Sequence, residues 1–224
     1  MALKPREVLP DEPFADAHRR RTEPPRATAG FTPVSFAFIG VAGAVFLAQL
    51  ADPGLTEKLS LYGPRVREGE WWRLFTWAFV HGGPLHLFFN LSAVWTLGRA
   101  VEHVLGTVRF LMVSLVGTLG ASAAVLAFSY ASPTVGLSGT ILSWMGALLP
   151  VLAPAARRQA MIWLVQVLVV SLLPGVSWAG HLGGFLFGVP AGLALRLAPA
   201  RFSMIIPIVA FVGGLACLFV VRAA

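Results

Sequence analysis

Charged residues are scarce in this chain, since Asp, Glu, Lys and Arg make up only 12% of its 224 residues. A soluble domain of this size would carry roughly twice that fraction. Hydrophobic residues reach 57%, and long apolar runs extend from about Phe36 towards the C-terminus. This pattern indicates that lipid is the solvent for most of the protein. The length allows one domain.

Cysteine is almost absent, because Cys217 is the only one. A single cysteine excludes an internal disulfide and leaves the redox compartment undecided. The net charge is +7, which raises the question of nucleic-acid binding. The basic residues lie between hydrophobic segments rather than on one soluble face, so they indicate membrane topology and no nucleic-acid partner.

Residues 1–30 differ in composition from the rest of the chain. They are rich in Pro, Arg, Asp and Glu and lack apolar periodicity, which predicts a disordered, basic cytoplasmic tail. The apolar core and the cleavage site of a secretory signal peptide are missing, so we expect the first apolar stretch to remain as a membrane helix. The six Lys and Arg of the tail indicate either a topology anchor or a site for anionic lipid.

Seven apolar segments are candidate membrane spans, which predicts an all-α membrane protein. The segments cover about 33–50, 85–101, 107–129, 138–153, 159–173, 178–197 and 203–221. Residues 51–84 are too polar to cross a membrane, yet they contain five closely spaced aromatic residues: Trp71, Trp72, Phe75, Trp77 and Phe79. Aromatic residues beside charge are typical of a membrane interface, so we predict a structured loop that enters the outer leaflet.

Lys and Arg are distributed unevenly between the two sides of this arrangement. With the N-terminus inside, 12 of them lie on the cytoplasmic side and 5 lie outside. The positive-inside rule therefore predicts a cytoplasmic N-terminus and an external loop 51–84.

Four polar side chains from three spans fall at one predicted depth near the outer face: His86, Asn90, Ser138 and His181. About 22 Å of helix separates His181 from Arg196 at the cytoplasmic end of the sixth span. In a hydrocarbon core about 30 Å thick, the imidazole would lie roughly 8 Å below the outer boundary. Convergence of polar groups inside a membrane indicates a functional site.

Ser138 lies in the sequence Gly136-Leu137-Ser138-Gly139. Taken alone, this tetrapeptide favours a structural role, because serine is a good helix N-cap and small residues allow close helix packing. A catalytic serine needs a base within hydrogen-bond reach, because its hydroxyl is a weak nucleophile.

His181 is the candidate base, since a neutral imidazole accepts a proton and a histidine inside a span is usually functional. The alternative for His181 is an interhelical hydrogen bond without chemistry. Gly184, Gly188 and Gly192 recur every four residues on the sixth span, and Gly146 lies two turns below Ser138 on the fourth. Such smooth faces predict a close approach of the two backbones, which would bring Ser138 and His181 together.

No carboxylate is placed to orient His181 within the membrane. Only Glu102 falls near a span, at the cytoplasmic end of the second one. The sequence therefore predicts a Ser–His dyad rather than a Ser–His–Asp triad. The other acids lie in the tail and the outer loop: Glu7, Asp11, Glu12, Asp16, Glu23, Asp52, Glu57, Glu68 and Glu70.

His86 and Asn90 are four residues apart and share one helix face. Either side chain can donate to an oxyanion, as can the backbone N–H of Ser138 at a helix start. The alternative for Asn90 is a polar tie between helices. Three histidines on the outer side would suit zinc, but no His-Glu-x-x-His pair and no nearby carboxylate occur, so we predict no metal and no cofactor.

Four motifs follow one another along the chain: Glu70-Trp71-Trp72-Arg73, His81-Gly82-Gly83-Pro84-Leu85-His86 through Asn90, Gly136-Leu137-Ser138-Gly139, and His181-Leu182-Gly183-Gly184. In residue type, order and spacing they resemble rhomboid proteases, and the resemblance covers about residues 55–195. The resemblance implies a six-helix protease core in residues 31–199, with an active site in a water-filled cavity open to the outer face. It also implies that residues 200–224 form an extra C-terminal helix, giving a 6+1 arrangement.

The resemblance assigns roles to individual positions. Ser138 matches the nucleophile and His181 the general base, while His86, Asn90 and the Ser138 amide match the oxyanion donors. The positions expected to support the site are Trp72, Arg73, His81, Glu102, Gly136, Gly139 and Gly184.

The chain departs from the family pattern at two positions beside the site. Gly180 precedes the base where many members carry Ala. Leu142 stands where some members have a tyrosine that stacks on the histidine, which predicts a looser orientation of the imidazole.

These features predict an intramembrane serine endopeptidase that cleaves transmembrane segments of membrane proteins near the outer face. Its partners would be transmembrane substrates and the bilayer, and we expect a multi-pass protein of a bacterial cytoplasmic membrane. One alternative is an inactive rhomboid-like protein that binds membrane clients. A small transporter or channel would need ionisable residues along a through-path and repeated halves, and neither occurs in the sequence.

Overall fold

The computed structural model describes residues 30–223, and the predicted tail up to residue 29 lies outside the described residues. The described part of the chain is helical, with one isolated antiparallel bridge between Leu61 and Thr134. The helices are α1 (Pro33–Ala51), α2 (Gly54–Leu59), α3 (Gly63–Arg67), α4 (Arg73–Thr76), α5 (Pro84–Ala93), α6 (Arg99–Leu105), α7 (Thr107–Phe128), α8 (Ser138–Leu148), α9 (Pro154–Val170), α10 (Trp178–Leu197) and α11 (Phe202–Ala223). A π-helical turn, Val94–Gly98, joins α5 to α6, and 3-10 turns cover Trp77–Phe79, Leu149–Val151 and Pro199–Arg201.

Four helical stretches in the described residues are long and apolar enough to cross a membrane: Pro33–Ala51, Thr107–Phe128, Trp178–Leu197 and Pro199–Ala223. The second predicted span continues through the π-helical turn and ends only at Leu105. The fifth begins at Pro154, before its predicted start, because proline is favoured in the first turn of a helix. The fourth is the short apolar stretch Ser138–Val151.

The short helix α8 lies at the centre of the bundle. Its nine consecutive residues 139–147 are all buried, and a helix that is apolar on every side is stable only when neighbours surround it. Side-chain hydrogen bonds tie it to α7, with Thr118 and Thr140 2.7 Å apart and the Trp144 indole donating to Ser114 Oγ at 2.8 Å. This central position presents Ser138, its first residue, to several helices at once.

Helices α8 and α10 touch through their backbones. A Cβ at Gly184 would collide with the carbonyl oxygen of Gly139, and one at Gly188 would collide with that of Ser143. Gly192 lies against Ala147 in the same way. The close approach predicted from the four-residue glycine spacing is therefore confirmed, and it fixes α10 beside the start of α8.

The loop 51–84 is held by buried polar contacts. Arg73, only 4% exposed, pairs with Glu70 at 2.6 Å, and its guanidinium donates to the carbonyl oxygens of Glu57 and Ser60 at 2.5 and 2.8 Å. The bridge to Thr134 places this loop against the segment that leads into Ser138. The loop is thus ordered and lies beside the start of α8.

Glu102 joins helix α6 to the beginning of α1. Its carboxylate is 2% exposed and accepts from the N–H groups of Val34 and Ser35 at 3.1 and 2.8 Å and from the Ser35 hydroxyl at 2.7 Å. The residue before α1, Thr32, makes no side-chain cap. Glu102 therefore satisfies N–H groups that a helix start leaves unpaired, and its charge suits that end of the helix dipole.

Helix α9 is packed far more sparsely than its neighbours. Ala160 and Leu164 are its only buried residues. Most of its surface therefore faces outwards, and it depends little on side-chain packing for its position.

Candidate active site

Ser138 and His181 meet at the beginnings of α8 and α10. The distance from Ser138 Oγ to His181 Nε2 is 2.7 Å, which is a hydrogen bond of good length. Ser177 caps α10 by accepting from the N–H of Gly180 at 3.2 Å, and this cap fixes the turn that carries the imidazole. The His181 side chain is buried at 7% exposure, whereas Ser138 is half-buried and accessible.

Gly136 shapes the space in front of Ser138. Its φ of +122° lies in a region that side chains disfavour, and its N–H donates to the carbonyl oxygen of Trp77 at 3.0 Å. A Cβ at Gly136 would lie 2.7 Å from His86 Nε2 and 4.0 Å from Ser138 Oγ. The bare glycine thus leaves one small space bounded by the imidazole of His86 on one side and the Ser138 hydroxyl on the other.

His86 presents a donor to that space. The N–H of Gly82 donates to His86 Nδ1 at 3.4 Å, so in a neutral ring the proton lies on Nε2. That atom and the adjacent Cε1 each lie 2.7 Å from where a Cβ on Gly136 would stand.

Asn90 is buried one turn further along the same helix, and one of its amide protons goes to the carbonyl oxygen of His86 at 2.9 Å. The second amide proton remains available for another acceptor.

His81 supports His86 from the loop before α5. The two rings pack edge to face with centroids 5.1 Å apart, and the His81 backbone exchanges two hydrogen bonds with the buried Gln49 side chain at 3.0 and 3.1 Å. Burial, together with the neighbouring His86, lowers the pKa of His81 to about 4. His81 is therefore neutral at physiological pH. Within residues 30–223, no three His, Cys, Asp or Glu side chains are grouped as a metal site would need.

Two tryptophans of loop 51–84 have different environments. Trp72 is 52% exposed, as expected at a membrane interface. For Trp77 the interface prediction is wrong, because its side chain is 2% exposed and its ring edge lies 3.4 Å from where a Cβ would stand on Gly139 or Gly180. Burial of its indole is possible because Ser122 Oγ accepts the N–H at 2.9 Å. The Trp77 ring therefore packs against the backbone next to Ser138 and next to His181.

Ser171 is a polar side chain in direct contact with His181 that the sequence analysis did not identify. It follows the last residue of α9, is 3% exposed, and places its Oγ 2.6 Å from His181 Nδ1. The partner expected for a catalytic histidine is a carboxylate, and a serine at the end of an apolar segment carries no distinguishing pattern. The His181 imidazole therefore has a hydrogen-bond partner on Nδ1 as well as on Nε2. The looser orientation predicted from Leu142 did not take this contact into account.

Residues 68–198 match the family model of the Rhomboid domain. The chain is 32% identical to "Rhomboid protease GluP" of Bacillus subtilis (strain 168) over 196 residues, which cover 81% of this chain and 38% of that protein. It is 33% identical to "RHOMBOID-like protein 5" of Arabidopsis thaliana over 145 residues, covering 60% of this chain and 47% of the relative.

A human relative, "Rhomboid-related protein 3", is 30% identical over 112 residues, or 50% of this chain and 28% of its own length. The chain thus spans less than half the length of each of these three proteins. The match to the Rhomboid domain and the apolar helices together identify an integral membrane protein.

Proposed function

Because the chain belongs to the rhomboid family, we propose that it is an intramembrane serine endopeptidase that uses Ser138 and His181 to cleave transmembrane segments of membrane proteins. The observation that carries this proposal is the 2.7 Å contact between Ser138 Oγ and His181 Nε2. A nucleophile in hydrogen-bond reach of a base is the arrangement that acyl transfer requires. The name of the Bacillus subtilis relative, "Rhomboid protease GluP", agrees with this proposal.

In the proposed reaction, Ser138 Oγ attacks the scissile carbonyl carbon while its proton passes to His181 Nε2. The tetrahedral intermediate collapses as the C–N bond breaks, and Nε2 returns the proton to the leaving amine. Water then attacks the acyl-enzyme ester, again losing a proton to Nε2. The second tetrahedral intermediate collapses as the bond between the carbonyl carbon and Ser138 Oγ breaks, and Nε2 returns its proton to Oγ. This step releases the new carboxyl group and restores the Ser138 hydroxyl.

The developing oxyanion would occupy the space over Gly136. His86 Nε2–H bounds that space, and the N–H of Ser138 opens α8, where backbone donors are unpaired and the helix dipole favours negative charge. The second amide proton of Asn90 is the third proposed donor. Fixed donors of this kind usually supply the largest part of transition-state stabilisation.

The proposed site lies below the outer membrane surface yet is open to water. Helix α8 and its terminal 3-10 turn span about 22 Å at ~1.5 and ~2.0 Å per residue. If Val151 marks the inner boundary of a hydrocarbon core about 30 Å thick, Ser138 lies roughly 8 Å below the outer one. The same depth follows from the position of His181 on α10, so both reacting groups share one level.

Substrates would enter beside α9, the sparsely packed helix. A helical backbone is hydrogen-bonded and sterically shielded, so a transmembrane segment must unwind before Ser138 reaches a carbonyl. Segments with Gly, Pro or small polar residues near the outer surface unwind most readily and are the proposed substrate class.

The remaining features of the proposal concern topology. Residues 31–199 form the six-helix protease core and residues 200–224 an extra C-terminal helix. Residues 1–30 are a cytoplasmic tail, and loop 51–84 lies outside. We place the protein in a bacterial cytoplasmic membrane, with transmembrane proteins as partners and without a cofactor.

A fluorophosphonate probe tests the proposal directly. We expect the purified protein in detergent to be labelled once, and mass mapping to place the adduct on the peptide that contains Ser138, because only a serine activated by a base reacts. His181→Ala should prevent labelling. A folded wild-type protein that stays unlabelled, while a known rhomboid protease labels in parallel, would contradict the proposal and favour the inactive client-binding alternative.

Substitution of Asn90 tests the oxyanion assignment. We expect Asn90→Ala to lower kcat by roughly 10²–10³, the usual loss for one oxyanion donor, with little change in KM for a transmembrane substrate. Asn90→Asp, which keeps the shape but donates no proton when ionised, should lose as much. Full activity in both variants would assign Asn90 to helix packing alone.

A further inference from the structure

Ser171 Oγ has two short contacts that together fix its proton. It lies 2.6 Å from His181 Nδ1 and 2.7 Å from the carbonyl oxygen of Val167. A carbonyl oxygen only accepts, and a hydroxyl has one proton to give. Both contacts are hydrogen bonds only if Ser171 donates to Val167 and His181 Nδ1–H donates to Ser171.

The direction of the hydrogen bond from His181 Nδ1–H to Ser171 determines whether the other ring nitrogen, Nε2, carries a proton. A neutral ring with its proton on Nδ1 has a free lone pair on Nε2. The contact between Nε2 and Ser138 Oγ must then run from the serine hydroxyl to the ring. That is the direction in which a general base removes a proton.

Among residues 30–223, the same pair of hydrogen bonds occurs at two other serines, and there its direction is unambiguous. Ser114 donates to the carbonyl oxygen of Phe110 at 2.8 Å and accepts from the Trp144 indole at 2.8 Å. Ser122 donates to the carbonyl oxygen of Leu74 at 2.7 Å and accepts from the indole of Trp77 at 2.9 Å. An indole nitrogen can only donate. In both cases, therefore, a ring N–H donates to a serine hydroxyl, which in turn donates to a backbone carbonyl oxygen.

We propose that Ser171 is the positioning residue of the site: it holds His181 in the tautomer with the proton on Nδ1 and connects it to the C-terminal end of α9. The inference rests on the proposed function, whose serine and base it serves. Val167 belongs to the last turn of that helix, where the helix dipole is negative. This pair of hydrogen bonds therefore favours the imidazolium that forms during the reaction, as a carboxylate does in a triad.

The test compares Ser171→Ala with Ser171→Thr and with the control Ser114→Ala. Ser114 has the same pair of hydrogen bonds but holds an indole, so its loss reports the structural cost alone. We expect Ser171→Ala to lower kcat about 10- to 100-fold, the loss of one buried hydrogen bond, with KM unchanged. Ser171→Thr keeps the hydroxyl and should restore kcat, and Ser114→Ala should keep it while lowering thermal stability.

The tautomer itself is measured by ¹⁵N NMR of histidine-labelled protein. The chain has 5 histidines, and the His181 signals are those missing from a His181→Gln sample. We expect protonated Nδ1 in the wild type and a mixture of tautomers in Ser171→Ala. An unchanged tautomer, or a kcat loss no larger than that of Ser114→Ala, would overturn the inference. Because the NMR reading needs no turnover, an inactive wild type would count against the proposed function alone.

Discussion

Replacing Ser138 with Ala is expected to reduce cleavage of a transmembrane substrate by at least about 10⁴-fold, to background. In serine proteases the loss of the nucleophile or its base costs as much as the loss of the whole set, because the residues act as a unit. His181→Ala should therefore be as inactive as Ser138→Ala, and the double variant no worse. Rates of substrate cleavage in detergent and in lipid vesicles, measured for the three variants, provide the check.

Ser143→Ala is the matched control for this experiment. Ser143 lies on the same helix, is fully buried, and donates to the carbonyl oxygen of Thr140 at 2.7 Å. It takes no part in the proposed chemistry, so its replacement should cost about 1 kcal/mol of stability and leave kcat near the wild-type value. If Ser138→Ala retained turnover while folded like this control, the nucleophile would have to be another group.

Gly184→Ala is expected to have the second largest effect, although the methyl group it adds takes no part in the proton transfer. The new Cβ would overlap the carbonyl oxygen of Gly139, the residue that follows Ser138. Backbone atoms cannot rotate away as a side chain can, so α10 must move from α8. Displacement of His181 by about 1 Å should lower kcat roughly 10²-fold or more.

Alanine variants at two other glycines serve as controls, because they distinguish a displacement of His181 from a general loss of stability. Gly43 on α1 has nothing within 4 Å of a Cβ, so Gly43→Ala should behave as the wild type. Gly192 is packed against Ala147 but lies about 16 Å of helix from His181. Gly192→Ala should therefore lower the melting temperature as Gly184→Ala does and affect kcat less. Equal loss of kcat in both would show that the whole interface, and not the distance at the site, is disturbed.

The meeting of Ser138 and His181 could be anticipated from sequence because it depends on regular features. Two helices, a four-residue glycine repeat and the positions of two polar residues within apolar segments are all periodic, and periodicity is what a sequence displays most clearly. The same regularity predicted that His86 and Asn90 share a helix face. Their roles in the reaction remain proposals.

The burial of Trp77 could not be anticipated, because it depends on a distant partner. Aromatic residues next to charges are typical of the membrane interface, and Trp72 is exposed as this rule expects. Trp77 is buried because Ser122, on another helix, accepts its indole proton. Contacts between residues far apart in sequence leave no local pattern.

The contact between Ser171 and His181 could not be predicted from the sequence either. None of the acids in the sequence is placed to contact His181 within the membrane, so the sequence predicts a two-residue site. Three-dimensional packing supplies a neutral hydroxyl instead, at the end of a helix whose last turn is itself a source of partial negative charge. Helix ends shift by a few residues between sequence and structure, so this alignment could be seen only in the fold.

The glycine contact between α8 and α10 has a mechanical consequence. Where side chains separate two helices, rotamer changes let them slide or spread by small amounts, but at this interface there are no rotamers to exchange. The spacing of Ser138 and His181 is thus set by covalent geometry and should be stiff. Helix α9, with two buried residues, is the side of the site that moves most easily. Stretching or thinning of the bilayer should therefore change the entry of substrate at smaller deformations than those that change the distance between Ser138 Oγ and His181 Nε2.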